Sequence, residues 1–169
     1  PYTTLFRSHR ENMKRLEEHH RKMGFQLLKN QGAEIEKDGQ TLYFLGVENW
    51  GNPPFPQYGD IDKAMENIPE DGFKILLSHD PSHWDAKVLN RNPFIHLTLS
   101  GHTHGMQFGI EIPGIFKWSP VKYRYPRWAG LYQEPGKYLY VNRGFGCLAF
   151  PGRVGIWPEI TSLTLRKGN

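Results

Sequence analysis

The segment Leu97-Thr98-Leu99-Ser100-Gly101-His102-Thr103-His104-Gly105 constrains this chain most, because a short apolar run carries two histidines, two residues apart, into a turn flanked by glycines. Alternate residues on extended backbone point to the same side. Glycine on either flank lets the chain turn sharply without a side chain blocking the approach of an ion. Alone, such a pair reads equally as a metal-binding element or as two polar loop residues. A second run, Phe73-Lys74-Ile75-Leu76-Leu77-Ser78-His79-Asp80-Pro81, again ends in a histidine and is stopped by proline. In open α/β sheets, functional groups gather outside the carboxyl ends of the strands. His79, His102 and His104 therefore converge if the two runs lie side by side and parallel; the other reading of His79 is a turn cap.

The rest of the chain supplies an α/β frame for these runs. Arg10 to Met23 reads as a charged helix, with Met13, Leu16, His20 and Met23 at helical spacing and Gly24 as its C-cap. His19 and His20 are adjacent on that helix, hence about 100° apart, and read as part of a solvated face. Phe25 to Leu28 and Thr41 to Val47 read as strands, the latter following a turn at Asp38-Gly39. A short helix is expected over Asp60 to Asn67, then the Ile75 strand, a helix from Ser82 to Asn90, and the Ile95 strand. Beyond His104 helical signals vanish, and Lys137 to Asn142 and Ile160 to Leu165 read as strands. Alternating strands and helices favour an α/β sheet.

Two further motifs stand near the end of the chain: Tyr140-Val141-Asn142-Arg143-Gly144-Phe145-Gly146 and Pro158-Glu159-Ile160-Thr161. With the strand-end His79 and the Gly101-to-His104 turn, they resemble the later motifs of the calcineurin-like metallophosphoesterases. The similarity extends from about His9 to Lys167, and within the family it is strongest to the membrane-associated, UDP-2,3-diacylglucosamine pyrophosphatase type. The resemblance implies the C-terminal part of a layered αββα sandwich and a two-metal hydrolase of phosphate esters. In such a site paired ions stabilise the attacking and leaving oxygens and supply a nucleophile at neutral pH. By the same resemblance His79 and His102 bind one metal and His104 the other, with manganese, iron or zinc suited to these ligands.

The family's earlier motifs, Asp-x-His, Gly-Asp and Gly-Asn-His, have no usable counterpart here. Gly59-Asp60 follows the proline-rich Pro53-Pro54-Phe55-Pro56 rather than an apolar strand, and Gly51-Asn52 is followed by Pro53 instead of histidine. No catalytic acid is therefore assigned within the chain. Three histidines, with Asp80 as a further candidate, fall short of two ions that each need at least four ligands, so at most one metal is expected in this chain. Residues 1–8 match nothing in the family pattern and read as a non-native segment. Residues 9–169 read as the C-terminal portion of a phosphoesterase domain that is inactive or nearly so by itself.

Phe116 to Trp128 interleaves aromatic and basic residues without one acid. That composition suits a lipid–water interface, base stacking with phosphate contact, or an ordinary loop whose rings cover the sheet. The expected partners are a phosphorylated small-molecule or lipid-linked substrate and a membrane surface. A net charge of +4, from 21 basic and 17 acidic residues, gives no footing for nucleic acid. No run reaches the ~18 apolar residues of a membrane span, and the expected location is cytoplasmic or on the cytoplasmic face of a membrane. The alternative function is a non-catalytic membrane- or nucleic-acid-binding module with at most one structural metal. Cys147, the single cysteine, lies in the apolar run Phe145 to Phe150 and is expected to be buried and inert. His83 reads as pocket lining or helix surface, His96 as a packed or hydrogen-bonded strand residue, and Arg143 as a phosphate ligand or a structural turn residue. A missing half-sandwich would leave apolar surface uncovered and solubility poor.

Overall fold

Apolar runs long enough for four or five strand residues account for the centre of this molecule. In the computed structural model, which describes residues 10–92, 94–148 and 150–166, a six-stranded sheet runs in the order β1-β2-β3-β4-β8-β7. Its strands are β1 (Gln31–Lys37), β2 (Gln40–Gly46), β3 (Phe73–Leu77), β4 (Leu97–Ser100), β7 (Gly130–Glu134) and β8 (Lys137–Val141). The remaining two, β5 (Ile110–Ile112) and β6 (Phe116–Trp118), form a separate antiparallel hairpin. The pairs β2–β3, β3–β4 and β4–β8 are parallel, while β1–β2 and β7–β8 are antiparallel hairpins. Antiparallel edges on a parallel centre are a common form of mixed sheet.

The central strands are buried because they are covered by helical segments on one face. Leu45, Leu76, Ile95, Leu139 and Val141 pack with Ile61 and Ala64 of α2 (Ile61–Ala64) and with Trp84 and Val88 of a π-helical turn, Trp84–Val88. Asp60 starts α2 by accepting the backbone N–H of Lys63 through its side chain, at 3.0 Å, which is the role of an N-cap residue. The π-helical turn is closed from across the sheet. Lys137 Nζ, buried at the start of β8, donates to the carbonyls of Val88, Leu89 and Arg91 at 2.9, 2.6 and 3.2 Å. These carbonyls lie at the C-terminal end of the turn, where its dipole is negative, so a buried ammonium is well placed there. A second cluster, Tyr125, Trp128, Ala129 and Ile156, packs behind the histidine turn.

Several expected elements differ. The helix α1 (Arg10–Lys22) forms and Gly24 follows it with φ +85°, but Met13, Leu16 and Met23 are exposed. Phe25 to Leu28 has no strand pairing, and the strand lies instead at β1, whose polar residues form an exposed edge. The Asp38-Gly39 turn explains this placement. Both residues have positive φ, 52° and 69°, and Lys37 pairs directly with Gln40, the two-residue hairpin geometry that Asp-Gly favours. The expected Ser82 to Asn90 helix forms over residues 82–88, its greater part, Trp84–Val88, being π-helical, and Ile160 to Leu165 carries no strand pairing. Cys147 is exposed, contrary to the expectation of burial: its apolar neighbours Phe145 and Leu148 also face outward, so the run packs against no core. The unmatched segment 1–8 lies outside the described residues.

Candidate metal centre

The ends of β3 and β4 set the site. Because these strands are adjacent and parallel, with Leu77 opposite Leu99, the residues that follow each strand emerge on the same edge of the sheet. The two exits are stitched together: Ser78 N–H donates to Leu99 O at 3.1 Å and Gly101 N–H to His79 O at 2.9 Å. The rings of His79 and His102 meet edge to face, with centroids 5.1 Å apart. On the far side, β8 extends the same edge, and Asn142 N–H donates to Ser100 O at 2.9 Å.

The turn holding His102 and His104 is unusual in its backbone. His102, His104, Met106 and Gln107 all have φ between 50° and 67°, a left-handed region that costs a non-glycine residue roughly 1–2 kcal/mol. Neighbouring groups over-determine this conformation. Thr103 Oγ1 donates to Trp128 O at 2.8 Å, Ser119 Oγ donates to Gly105 O at 2.9 Å, and Gln107 Nε2 donates to Phe150 O and Gly152 O at 2.9 and 2.5 Å. Thr103, Ser119 and Gln107 are themselves buried. Strain concentrated and supported in this way is a mark of functional turns.

His102 is oriented by Tyr125, which the sequence did not single out, and by Asp80, the further ligand candidate. Its Nε2 lies 2.8 Å from the Tyr125 hydroxyl and 3.7 Å from Asp80 Oδ2, and the same hydroxyl lies 3.4 Å from that carboxylate. Asp80 is buried, and its other oxygen accepts Ser82 N–H and Ser82 Oγ–H at 2.8 and 2.6 Å. With Nε2 engaged, Nδ1 is the nitrogen of His102 left to serve as a ligand, and a carboxylate or hydroxyl on the opposite nitrogen is the usual support of a metal-binding imidazole. Phe55 closes the site with its ring edge-on to His102 at 5.4 Å.

His104 projects from the same turn, and its Nδ1 is buried with no hydrogen-bond partner among the described residues. Burial, followed by Arg153 and His102, pushes its pKa down. Although part of His79 faces solvent, desolvation by the surrounding site, with His102 and then His104 adding to it against the pull of Asp80, lowers its pKa too. Both imidazoles are thereby biased toward the neutral form that binds metals. His83 is buried beneath the site, where its Nδ1 lies 2.8 Å from Ser78 Oγ and its ring stacks on Trp50 at 4.7 Å; burial lowers its pKa to about 4. It braces the β3 exit. His96 Nδ1 accepts the Lys74 N–H at 3.1 Å, a packing role. Arg143 is held by two carboxylates, Glu159 through Nε at 2.8 Å and Glu111 through Nη1 at 2.5 Å, which makes it a structural turn residue rather than a free phosphate fork.

The donor chemistry suits a divalent transition metal, and an unpartnered buried nitrogen on His104 fits the same purpose. The number of ligands does not reach a full centre: among the described residues no group of three or more His, Cys, Asp or Glu side chains is arranged to hold an ion. Asp60, occupied as the α2 cap, is not available to the site.

A mixed α/β sheet with histidines at the ends of two adjacent parallel strands defines the class: the architecture is that of the C-terminal part of a calcineurin-like metallophosphoesterase. Sequence relatives support the same family. An uncharacterized metallophosphoesterase of Bacillus subtilis, YkuE, is 35% identical over 134 residues, covering 78% of this chain and 43% of that protein. A transmembrane protein with metallophosphoesterase domain from Danio rerio is 30% identical over 153 residues, 86% of this chain and 33% of the relative. The phosphodiesterase YaeI of Escherichia coli is 30% identical over 144 residues, 84% and 48% respectively. The chain thus spans less than half the length of each of these three. No family model and no solved structure matches it. Among the described residues no helix is long and apolar enough to cross a membrane.

Proposed function

We propose that this chain is the metal-binding C-terminal part of a hydrolase that cleaves a phosphodiester or pyrophosphate bond, with His79 and His102 on one divalent ion and His104 directed to a second. The observation that carries this reading is the edge-to-face meeting of His79 and His102 at the exits of two adjacent parallel strands. The ions, of manganese, iron or zinc character, would polarise the phosphate and supply a nucleophile at neutral pH. The protein groups described here do the positioning: Tyr125 and Asp80 fix His102, and Ser78 with His83 fixes the loop bearing His79. The remaining ligands and the acid toward the leaving group are not among the described residues. A lipid-linked substrate of the UDP-2,3-diacylglucosamine kind and a peripheral membrane location accord with the exposed Ile112, Ile115 and Phe116 of the β5–β6 hairpin.

The test is manganese-dependent hydrolysis of bis(p-nitrophenyl) phosphate by the longer natural protein, with and without His102→Ala. Loss of hydrolysis in the variant, with its thermal melt retained, is expected. A longer protein that hydrolyses no phosphodiester would refute the proposal. Its binding to anionic vesicles, unchanged by His102→Ala, would then favour the second reading, a membrane-binding module using the same exposed hairpin.

A further inference from the structure

Beside His102, a cavity of about 350 Å³ opens between the π-helical turn after β3 and the segment Arg124 to Arg127. It adjoins the histidine site through two shared residues: Tyr125 lines it and bonds His102, and Ser82 lines it and bonds Asp80. Its size sits at the low end for small-molecule pockets, enough for one compact group. Pro81, Pro126 and the Tyr125 ring give it firm walls.

Charge decides what fits. Arg127 is already neutralised: it donates to Asp85 at 2.9 Å and to Glu134 at 3.2 Å, and its guanidinium lies 4.5 Å above the Trp84 ring. It serves as wall. Arg124 differs, because its Nη2 donates to the Pro53 carbonyl at 2.9 Å, while among the described residues no carboxylate pairs with it. The cavity therefore carries one uncompensated guanidinium, anchored at the edge of the proposed reaction site. A guanidinium fork is the side chain best matched to a phosphate.

We propose that this cavity is a subsite for a second phosphate on the substrate, held by Arg124 while the scissile phosphate lies at the histidines. The inference rests on the phosphoester-hydrolase reading and sharpens it: the preferred substrates carry two phosphorylated positions, or a pyrophosphate with one phosphate on each side of the cut.

The test separates the two ideas. Inorganic phosphate is titrated calorimetrically into the metal-free chain, with acetate as the comparison anion. Arg124→Ala should weaken phosphate binding at least tenfold, Arg124→Lys should recover part of it, and His79→Ala should retain it. Equal phosphate affinity in the parent and Arg124→Ala, no measurable phosphate binding, or tighter binding of acetate would overturn the subsite. In the longer protein, Arg124→Ala should raise KM for a bis-phosphorylated substrate about tenfold over its effect on a mono-phosphorylated one, with kcat within twofold. Equal effects on the two substrates would also overturn the subsite while leaving the hydrolase reading standing. Absence of all phosphodiester hydrolysis in the longer parent protein would instead remove the reading on which the subsite rests.

Discussion

Glu159 offers a stability prediction that can be worked from the structure. Its side chain is 12% exposed, and burial by itself would raise its pKa. The Tyr140 hydroxyl, Arg143, Thr161 and the Arg143 backbone N–H overcome that effect and hold it at about 2, against an ordinary 4.5. A carboxylate whose pKa is depressed on folding contributes stability above its unfolded pKa and loses it as pH falls toward the folded value. The difference corresponds to about 3 kcal/mol in full, of which roughly 2 kcal/mol is already lost by about pH 3. Glu159→Gln keeps the shape but removes the charge, leaving Arg143 with Glu111 alone. Urea unfolding of parent and variant between about pH 6 and pH 3 measures the effect. The variant should be the weaker by about 2–3 kcal/mol at the upper end, with a gap that closes as pH falls. A gap independent of pH would show that the Tyr140–Glu159–Arg143 contacts do not hold the carboxylate in its charged form.

Gly105→Ala should destabilise by roughly 2–4 kcal/mol, because φ is +58° and a Cβ would lie 2.9 Å from Ile156 Cγ2; an unchanged denaturation midpoint would contradict the described turn. Asp60→Ala should cost about 1 kcal/mol through loss of the α2 cap, without lowering metal affinity, whereas a drop in affinity would make Asp60 a ligand. Cys147, being exposed, should react with a thiol reagent in the native state as fast as in urea; strong native protection would contradict its outward placement.

The parts of the fold that were legible in the sequence are those where burial enforces a pattern. Ile75 and Leu76 of β3 and Leu97 of β4 are buried, and their apolar runs announce central strands whose parallel pairing brings His79 to His102. β8 was legible for the same reason, through Leu139 and Val141. The edge strand β1 was not, because Gln31-Gly32-Ala33-Glu34-Ile35-Glu36-Lys37 is exposed on both faces apart from the half-buried Ala33 and has little apolar content. Its signal was the Asp38-Gly39 hairpin turn rather than periodicity. Likewise β7 is defined by its hairpin to β8, with Glu134 opposite Lys137 across Pro135-Gly136. Ile160 to Leu165 looked like a strand from its β-branched content, yet its neighbourhood is fastened by Glu159 and Thr161 side chains instead of a ladder. In the site, the histidines were visible as strand-end motifs. Tyr125 was not: it stands 23 residues from His102 in sequence, and its only local signal was membership of the aromatic and basic stretch. That stretch divides in the structure, with Tyr125 and Trp128 buried while Phe116 and Tyr123 face outward.

The pairing of His79 and His102 as ligands of one ion is the claim on which the functional account turns. Cobalt titration of the longer natural protein, followed by visible absorption, tests it directly. The account predicts ligand-field bands in the parent that are lost in both His79→Ala and His102→Ala, each variant keeping its native melt. Unaltered bands in the two folded variants would contradict the account and leave the strand-end histidines without a metal.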